Sequence, residues 1–180
     1  MSPLIVLLIV ATGPAAADQR DVRVDELFDR LGIAGDAREA ALIEVTIWEI
    51  WRVYTGDDYD VTEFFNRGLR AIRRTEYRSA EILFGGVISR APEFAEGWNG
   101  RAAVRYTLGD FAGSIADSEM ALELEPRHFA ALSRLGDCFI ALDRPARALA
   151  AFEAALAINP RLPSAQGSAA RLRERRGDAI

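Results

Sequence analysis

Lysine is absent from this chain of 180 residues, and all 22 basic side chains are arginine. An all-arginine usage is what a GC-rich genome produces; selection for arginine's rigid fork of donors is the sharper alternative. There is one histidine, His128, and one cysteine, Cys138. A His/Cys zinc site within one chain is therefore excluded. A lone cysteine closes no internal disulfide, and Cys138 is expected as a small buried apolar side chain rather than a reactive thiol. No glycine loop has the context needed to cradle a phosphate, since Gly85-Gly86 falls inside a predicted helix. Without converging titratable groups the chain reads as no enzyme, with no cofactor and no metal. No apolar run reaches the ~20 residues that a membrane-spanning helix needs.

Charge is blocked rather than even. Residues 18–63 carry a net −8, residues 64–90 a net +4, residues 91–160 a net −4 and residues 161–180 a net +3, for −5 in all. Such a chain lacks the continuous basic footprint of a nucleic-acid binder, so no nucleic acid is expected as a partner. Half of the residues are apolar, enough to support a folded domain.

What is there begins with an address. The apolar run Leu4 to Val10, followed by Ala15-Ala16-Ala17 and the polar Asp18, has the form of a secretory signal peptide over residues 1–17. No Lys or Arg precedes the run. The expectation is a periplasmic or secreted protein, cleaved after Ala17, with no stable membrane insertion afterwards.

Beyond it the chain repeats itself. Pro92, Pro126 and Pro160 stand 34 residues apart. Ahead of each, in register, come a large apolar residue (Phe64, Trp98, Leu132), a small one (Gly68, Ala102, Gly136) and a second small one (Ala80, Ser114, Ala148). Next come Phe84, Ser118 and Phe152, and finally the pairs Val87-Ile88, Ala121-Leu122 and Ala155-Leu156. Large beside small is what two helices in a hairpin require, because they approach to 8–10 Å only where a small residue admits a neighbour's side chain. The proline ends each second helix.

This 34-residue pattern resembles the tetratricopeptide repeat. Gly109-Asp110-Phe111 and the runs ending in Pro126 and Pro160 carry the likeness most closely. Thr75-Glu76-Tyr77 at the first turn and Ser118 in place of an aromatic depart from it. The resemblance implies an all-α fold, an α-solenoid of antiparallel helical hairpins. It has three repeats (61–94, 95–128, 129–162) in an array over 61–180, with a capping helix over 163–176. Residues 18–60 form a divergent helical hairpin with an apolar stripe at Ile43, Ile47, Ile50, Trp51 and Tyr54, expected to cover the exposed side of the first repeat. Trp48 and Trp51 read as core. Asp36 with Glu39, and Asp60 with Glu63, have capping-box spacing. Asp143 with Pro145 reads as a helix start. His128 reads as a solvated or capping side chain. Asp117 is expected to pair with Arg101, and Glu44 or Glu49 with Arg67.

In the family resembled, the first helices line a concave groove that holds peptides. The stripe that would line it here includes Phe65 and Leu69 in the first repeat, Asn99 and Tyr106 in the second, and Ser133 and Asp137 in the third, bordered by Arg73 and Arg171. The function implied is a protein-protein interaction scaffold whose partner is an unidentified protein or peptide. The alternative is an envelope assembly factor that works through its outer faces or self-association, with the groove occluded. Members that clamp terminal carboxylates use Lys, Asn and Arg; Asn99 is the one match, so that specialisation is not expected.

Overall fold

The computed structural model describes residues 22–177, so the signal-peptide reading lies outside the described residues. Among them the chain forms nine helices and no strand: α1 (Val22–Gly32), α2 (Ala37–Trp51), α3 (Tyr59–Arg73), α4 (Tyr77–Arg90), α5 (Ala95–Thr107), α6 (Phe111–Leu124), α7 (Phe129–Ala141), α8 (Pro145–Ile158) and α9 (Pro163–Arg176). Helices α3 to α8 form three successive hairpins, and α9 packs on α8 as a further first helix. Helices α3 and α5 touch, as do α5 and α7, while the second helices α4, α6 and α8 are held further apart from one another. The first helices therefore line the inner side of the array.

The large-small alternation does the packing it implied. A Cβ on Gly136 would lie 2.6 Å from the Phe152 ring, and one on Gly68 would lie 2.9 Å from the Phe84 ring. Both rings are fully buried. Each proline falls two residues past the end of a second helix.

The turns inside the hairpins share one backbone requirement. Thr75, Gly109 and Asp143, again 34 apart, all have positive φ (59°, 82° and 53°). Only glycine takes this conformation freely, so Thr75 carries local strain at the turn where the repeat pattern was loosest. Asp143 is thus the left-handed turn residue and not the cap expected of it; Arg144 is the N-cap of α8, without a side-chain cap bond, and Pro145 follows. The cap expected at Asp60 also moves. Asp58 caps α3, accepting the Asp60 N–H at 3.0 Å, because the helix begins at Tyr59. The Asp36 cap is present, accepting the Glu39 N–H at 2.8 Å.

The largest departure is the position of the N-terminal hairpin. It does not cover the first repeat, which leaves Tyr59 and Ile82 mostly exposed. Instead Val24, Phe28, Leu31, Ile43, Ile47 and Trp51 join one apolar cluster with Phe129 of α7, Leu149 and Phe152 of α8, and Leu162, Ala169 and Leu172 at α9. The hairpin lies along the edge where the proline-bearing turns between repeats gather. Tyr54 meets Phe94 at the first such turn, with ring centroids 5.5 Å apart. At the second turn Arg127 binds Asp25 at 2.8 Å and lies over the Phe28 ring. At the third turn Asn159 donates to Glu44 at 3.1 Å, and Arg161 donates to the Gly35 carbonyl at 2.8 Å. An amphipathic stripe specifies that it will be buried but not against what.

A side chain at Gly136 has no room to relax against a ring buried on all sides. Gly136→Val is expected to lower unfolding free energy by about 2 kcal/mol or more. In the Phe152→Ala background its effect should shrink by about 1 kcal/mol. Urea denaturation of the two single variants and the double variant measures both, and additive losses would contradict the interlock.

Candidate partner-binding groove

The middle of the array is polar inside. Buried polar side chains concentrate between residues 96 and 133: Glu96, Asn99, Ser114, Asp117, Ser118, Glu125, His128 and Ser133. The position where repeats one and three place Phe84 and Phe152 is held here by Ser118, whose buried hydroxyl has no hydrogen-bond partner among the described residues. The expected Arg101–Asp117 pair forms and is bidentate, with both bonds at 2.8 Å. Arg105 adds a third bond to Asp117 at 2.9 Å and one to Glu81 at 3.2 Å. Arg67 does not reach Glu44 or Glu49. The hairpin sits elsewhere, and Arg67 instead pairs with Glu63 one turn away on α3.

His128 is fully buried and not solvated. It is the N-cap of α7, where its Nδ1 accepts the Ala131 N–H at 3.2 Å. Its ring hydrogen therefore sits on Nε2 and points at Glu96 Oε1, 2.8 Å away. Glu96 Oε2 accepts from Asn99 Nδ2 at 3.2 Å. The imidazole stacks on Trp51 at 4.5 Å, and Trp48 meets Trp51, His128 and Phe129 edge-on. One residue thus joins the second repeat, the third repeat and the hairpin.

That junction builds one wall of a cavity of about 180 Å3 on the inner side of the third repeat. Glu44 and Trp48 of α2 face Phe129, Ala130, Ser133, Arg134 and Asp137 of α7, with Leu162 and Ser164 at the start of α9. Of the residues expected in the groove, the structure brings Ser133 and Asp137 into this cavity. Tyr106 lies beside it: the Arg134 guanidinium sits 5.5 Å over its ring, and burial, with the Asp137 charge adding, pushes its phenol up. Asn99 is largely buried on α5, and its Oδ1 has no hydrogen-bond partner among the described residues.

Phe65 is not a groove residue. It is 3 % exposed, packed edge-on against Phe84 and Phe94 in the first repeat's core. Leu69 is half-buried beside the same cluster. Arg73 and Arg171 are exposed and line no part of the cavity; Arg171 donates to Ser168 on its own helix at 3.1 Å. Sequence reasoning missed Arg134, which follows Ser133 but has Gly100 and Asn66 as its counterparts in the other repeats. It also missed Glu44 and Trp48, which reach the site only through the docking of the hairpin.

Two further ionisable groups here are shifted by burial. The Cys138 thiol is pushed up, mainly by burial, and donates to Ser114 at 3.3 Å, which makes it a poor thiolate. Burial also pushes the Asp137 carboxyl above the ordinary value of 3.8, and Arg134 pulls it part of the way back.

The chain is similar to known proteins over most of the array. The family model of the tetratricopeptide repeat matches residues 65–123 and 104–163. A TPR repeat-containing protein of Rhizobium etli is 29% identical over 146 residues, which cover 74% of this chain and 71% of that protein. The TPR2B domain of yeast Sti1, solved as a complex with pHsp70, is 27% identical with a TM-score of 0.60, covering 67% of this chain and 98% of that one. The first TPR of Spaghetti (RPAP3), bound to the HSP90 peptide SRMEEVD, is 20% identical with a TM-score of 0.65, covering 67% and 96%.

The Asp137 shift has a consequence for stability. A carboxyl with a raised value in the fold holds its proton more tightly there than in the unfolded chain, so its ionisation works against folding as pH rises above 3.8. Asp137→Asn is expected to be more stable than the parent at neutral pH, with the advantage fading as pH falls toward 3.8. Urea midpoints across a pH series measure this; a gain that grows at acid pH would refute it.

Proposed function

The chain belongs to the tetratricopeptide repeat family, and on that premise we propose that it is a non-catalytic scaffold holding an extended segment of a partner protein along the inner faces of α5 and α7. One observation carries the reading. Neighbouring first helices hold an acceptor, Asn99 Oδ1, and a donor, Arg134 Nε, that have no hydrogen-bond partner among the described residues and no open surface, so that a small side-chain shift would uncover them to a ligand. A buried polar atom without a partner loses roughly 1–3 kcal/mol of solvation. An extended peptide backbone supplies one N–H and one carbonyl per residue and satisfies both kinds of atom. The Sti1 and Spaghetti domains, solved with pHsp70 and with an HSP90 peptide, support a peptide as the class of ligand.

The sequence also supports export. We propose that residues 1–17 direct the chain to the periplasm and are removed, on the strength of the Leu4–Val10 run and Ala15-Ala16-Ala17. N-terminal sequencing of the purified native protein should read from Asp18; a chain that retains Leu4 would overturn the proposal.

Groove use is tested by photo-crosslinking in the producing cell. Benzoylphenylalanine at Tyr106 or Ile140 is expected to yield a protein adduct, whereas the same group at Ile82 on α4 yields none. Asn99→Ala should weaken capture at Ile140 by about tenfold, the loss of one well-made contact. Adducts from Ile82 as strong as those from Tyr106 would move the interface to the outer face.

A further inference from the structure

We propose that the cavity between α2, α7 and the start of α9 receives a cationic side chain, arginine or lysine, from the bound segment. This rests on the groove reading above and adds to it the chemistry of one side chain.

Asp137 is half-buried in the cavity wall, and among the described residues no hydrogen-bond donor or ion-pair partner reaches its carboxylate. Glu44 stands on the facing wall, held in place by Asn159 Nδ2 at 3.1 Å and Trp48 Nε1 at 3.4 Å. The cationic residue of the lining, Arg134, turns its guanidinium to the Tyr106 ring and forms no ion pair among the described residues. Two carboxylates against one guanidinium leave the cavity with an excess negative charge, and its walls weaken the screening that water gives at a surface.

A second observation points the same way. Ser133 is 8 % exposed, lines the cavity and has no hydrogen-bond partner among the described residues. It stands one helical turn before Asp137, so the hydroxyl and the carboxylate form a paired acceptor set on one face of α7. Guanidinium and ammonium groups carry several donors and no acceptor, which suits such a set. Phe129, Leu162 and Trp48 supply apolar wall for the aliphatic stem of a long basic side chain. The volume, about 180 Å3, equals roughly six waters' worth of space, the scale of the atoms beyond Cβ in one arginine. An acidic side chain or a terminal carboxylate would face Asp137 and Glu44 and be repelled.

The test is selection of a random-peptide display library on the purified chain, followed by affinity measurement with synthetic peptides blocked at both ends. Arginine or lysine is expected to be enriched at one position. Replacing that residue by norleucine, or replacing Asp137→Asn in the protein, should each weaken binding by about tenfold, with little further loss when both are made. Arginine and lysine versions of the peptide separate guanidinium from ammonium recognition. Selected peptides that lack a basic residue, bind parent and Asp137→Asn equally, yet weaken with Tyr106→Ala would overturn this inference and leave the groove reading standing. Peptides insensitive to both Tyr106→Ala and Asp137→Asn, or a library that yields no binder, would overturn both. Thermal melting of each variant checks that losses are not losses of fold.

Discussion

The fold depends on how His128 is satisfied. It stands at the N-terminus of α7 with no exposed surface, so each ring nitrogen must find a partner inside. Nδ1 takes an N–H of its own helix, Nε2 is left for Glu96 of the second repeat, and the ring face is left for Trp51 of the hairpin. Removing either side of the Glu96–His128 contact would leave a buried polar group unpaired, a loss of roughly 1–3 kcal/mol or more. Replacing both with apolar residues would in turn leave the Ala131 N–H and the Asn99 amide without the acceptors they now use. What the pair adds is specificity: one orientation of the second repeat against the third satisfies it, and Trp51 of the hairpin stacks on the ring so placed.

This explains why the array can be polar in its middle. Apolar clusters occupy the two ends, one around Phe65 and Phe84, the other around Trp51, Phe129 and Phe152. Between them the second repeat has Ser118 where the others have an aromatic. Its hairpin is held instead by Arg101, Arg105 and Asp117 and by the Ser114 hydroxyl on the Ala102 carbonyl at 2.8 Å. Directional bonds replace shape as the source of register. Asn99, Tyr106 and Ser133, residues of the candidate groove, belong to this same stretch, so the polar interior and the candidate site are continuous.

The sequence made the array legible because a solenoid is local. Each repeat contacts its neighbours, so period, interlocking glycines and turn prolines suffice to place α3 to α9. Gly136 against Phe152 and the Arg101–Asp117 pair follow from offsets within one hairpin. The hairpin was legible only as an object. Ile43, Ile47 and Trp51 announce a buried stripe, but their partners lie some hundred residues away and share no period with them. The candidate site inherits that limit: Ser133 and Asp137 could be read from the repeat, whereas Glu44 and Trp48 could not. Phe65 was misplaced because the inner stripe of the first repeat is occupied by its own core, where Phe94 from the next turn closes over it.

The hairpin also changes what kind of solenoid this is. An open stack of repeats can flex, because each interface is independent of the next. Here one helix and its connection touch the turn after each of the three repeats, through Tyr54 at Phe94, Trp51 at His128 and Glu44 at Asn159. These contacts lie along one edge, so splaying any pair of repeats breaks at least one of them. The contacts of the hairpin thereby hold the curvature of the inner face, and on the proposed reading a partner segment would meet a groove that is largely ordered already. The same strap that stiffens the groove supplies Glu44 and Trp48 to its wall, which ties the shape of the site and its charge to a single docking event.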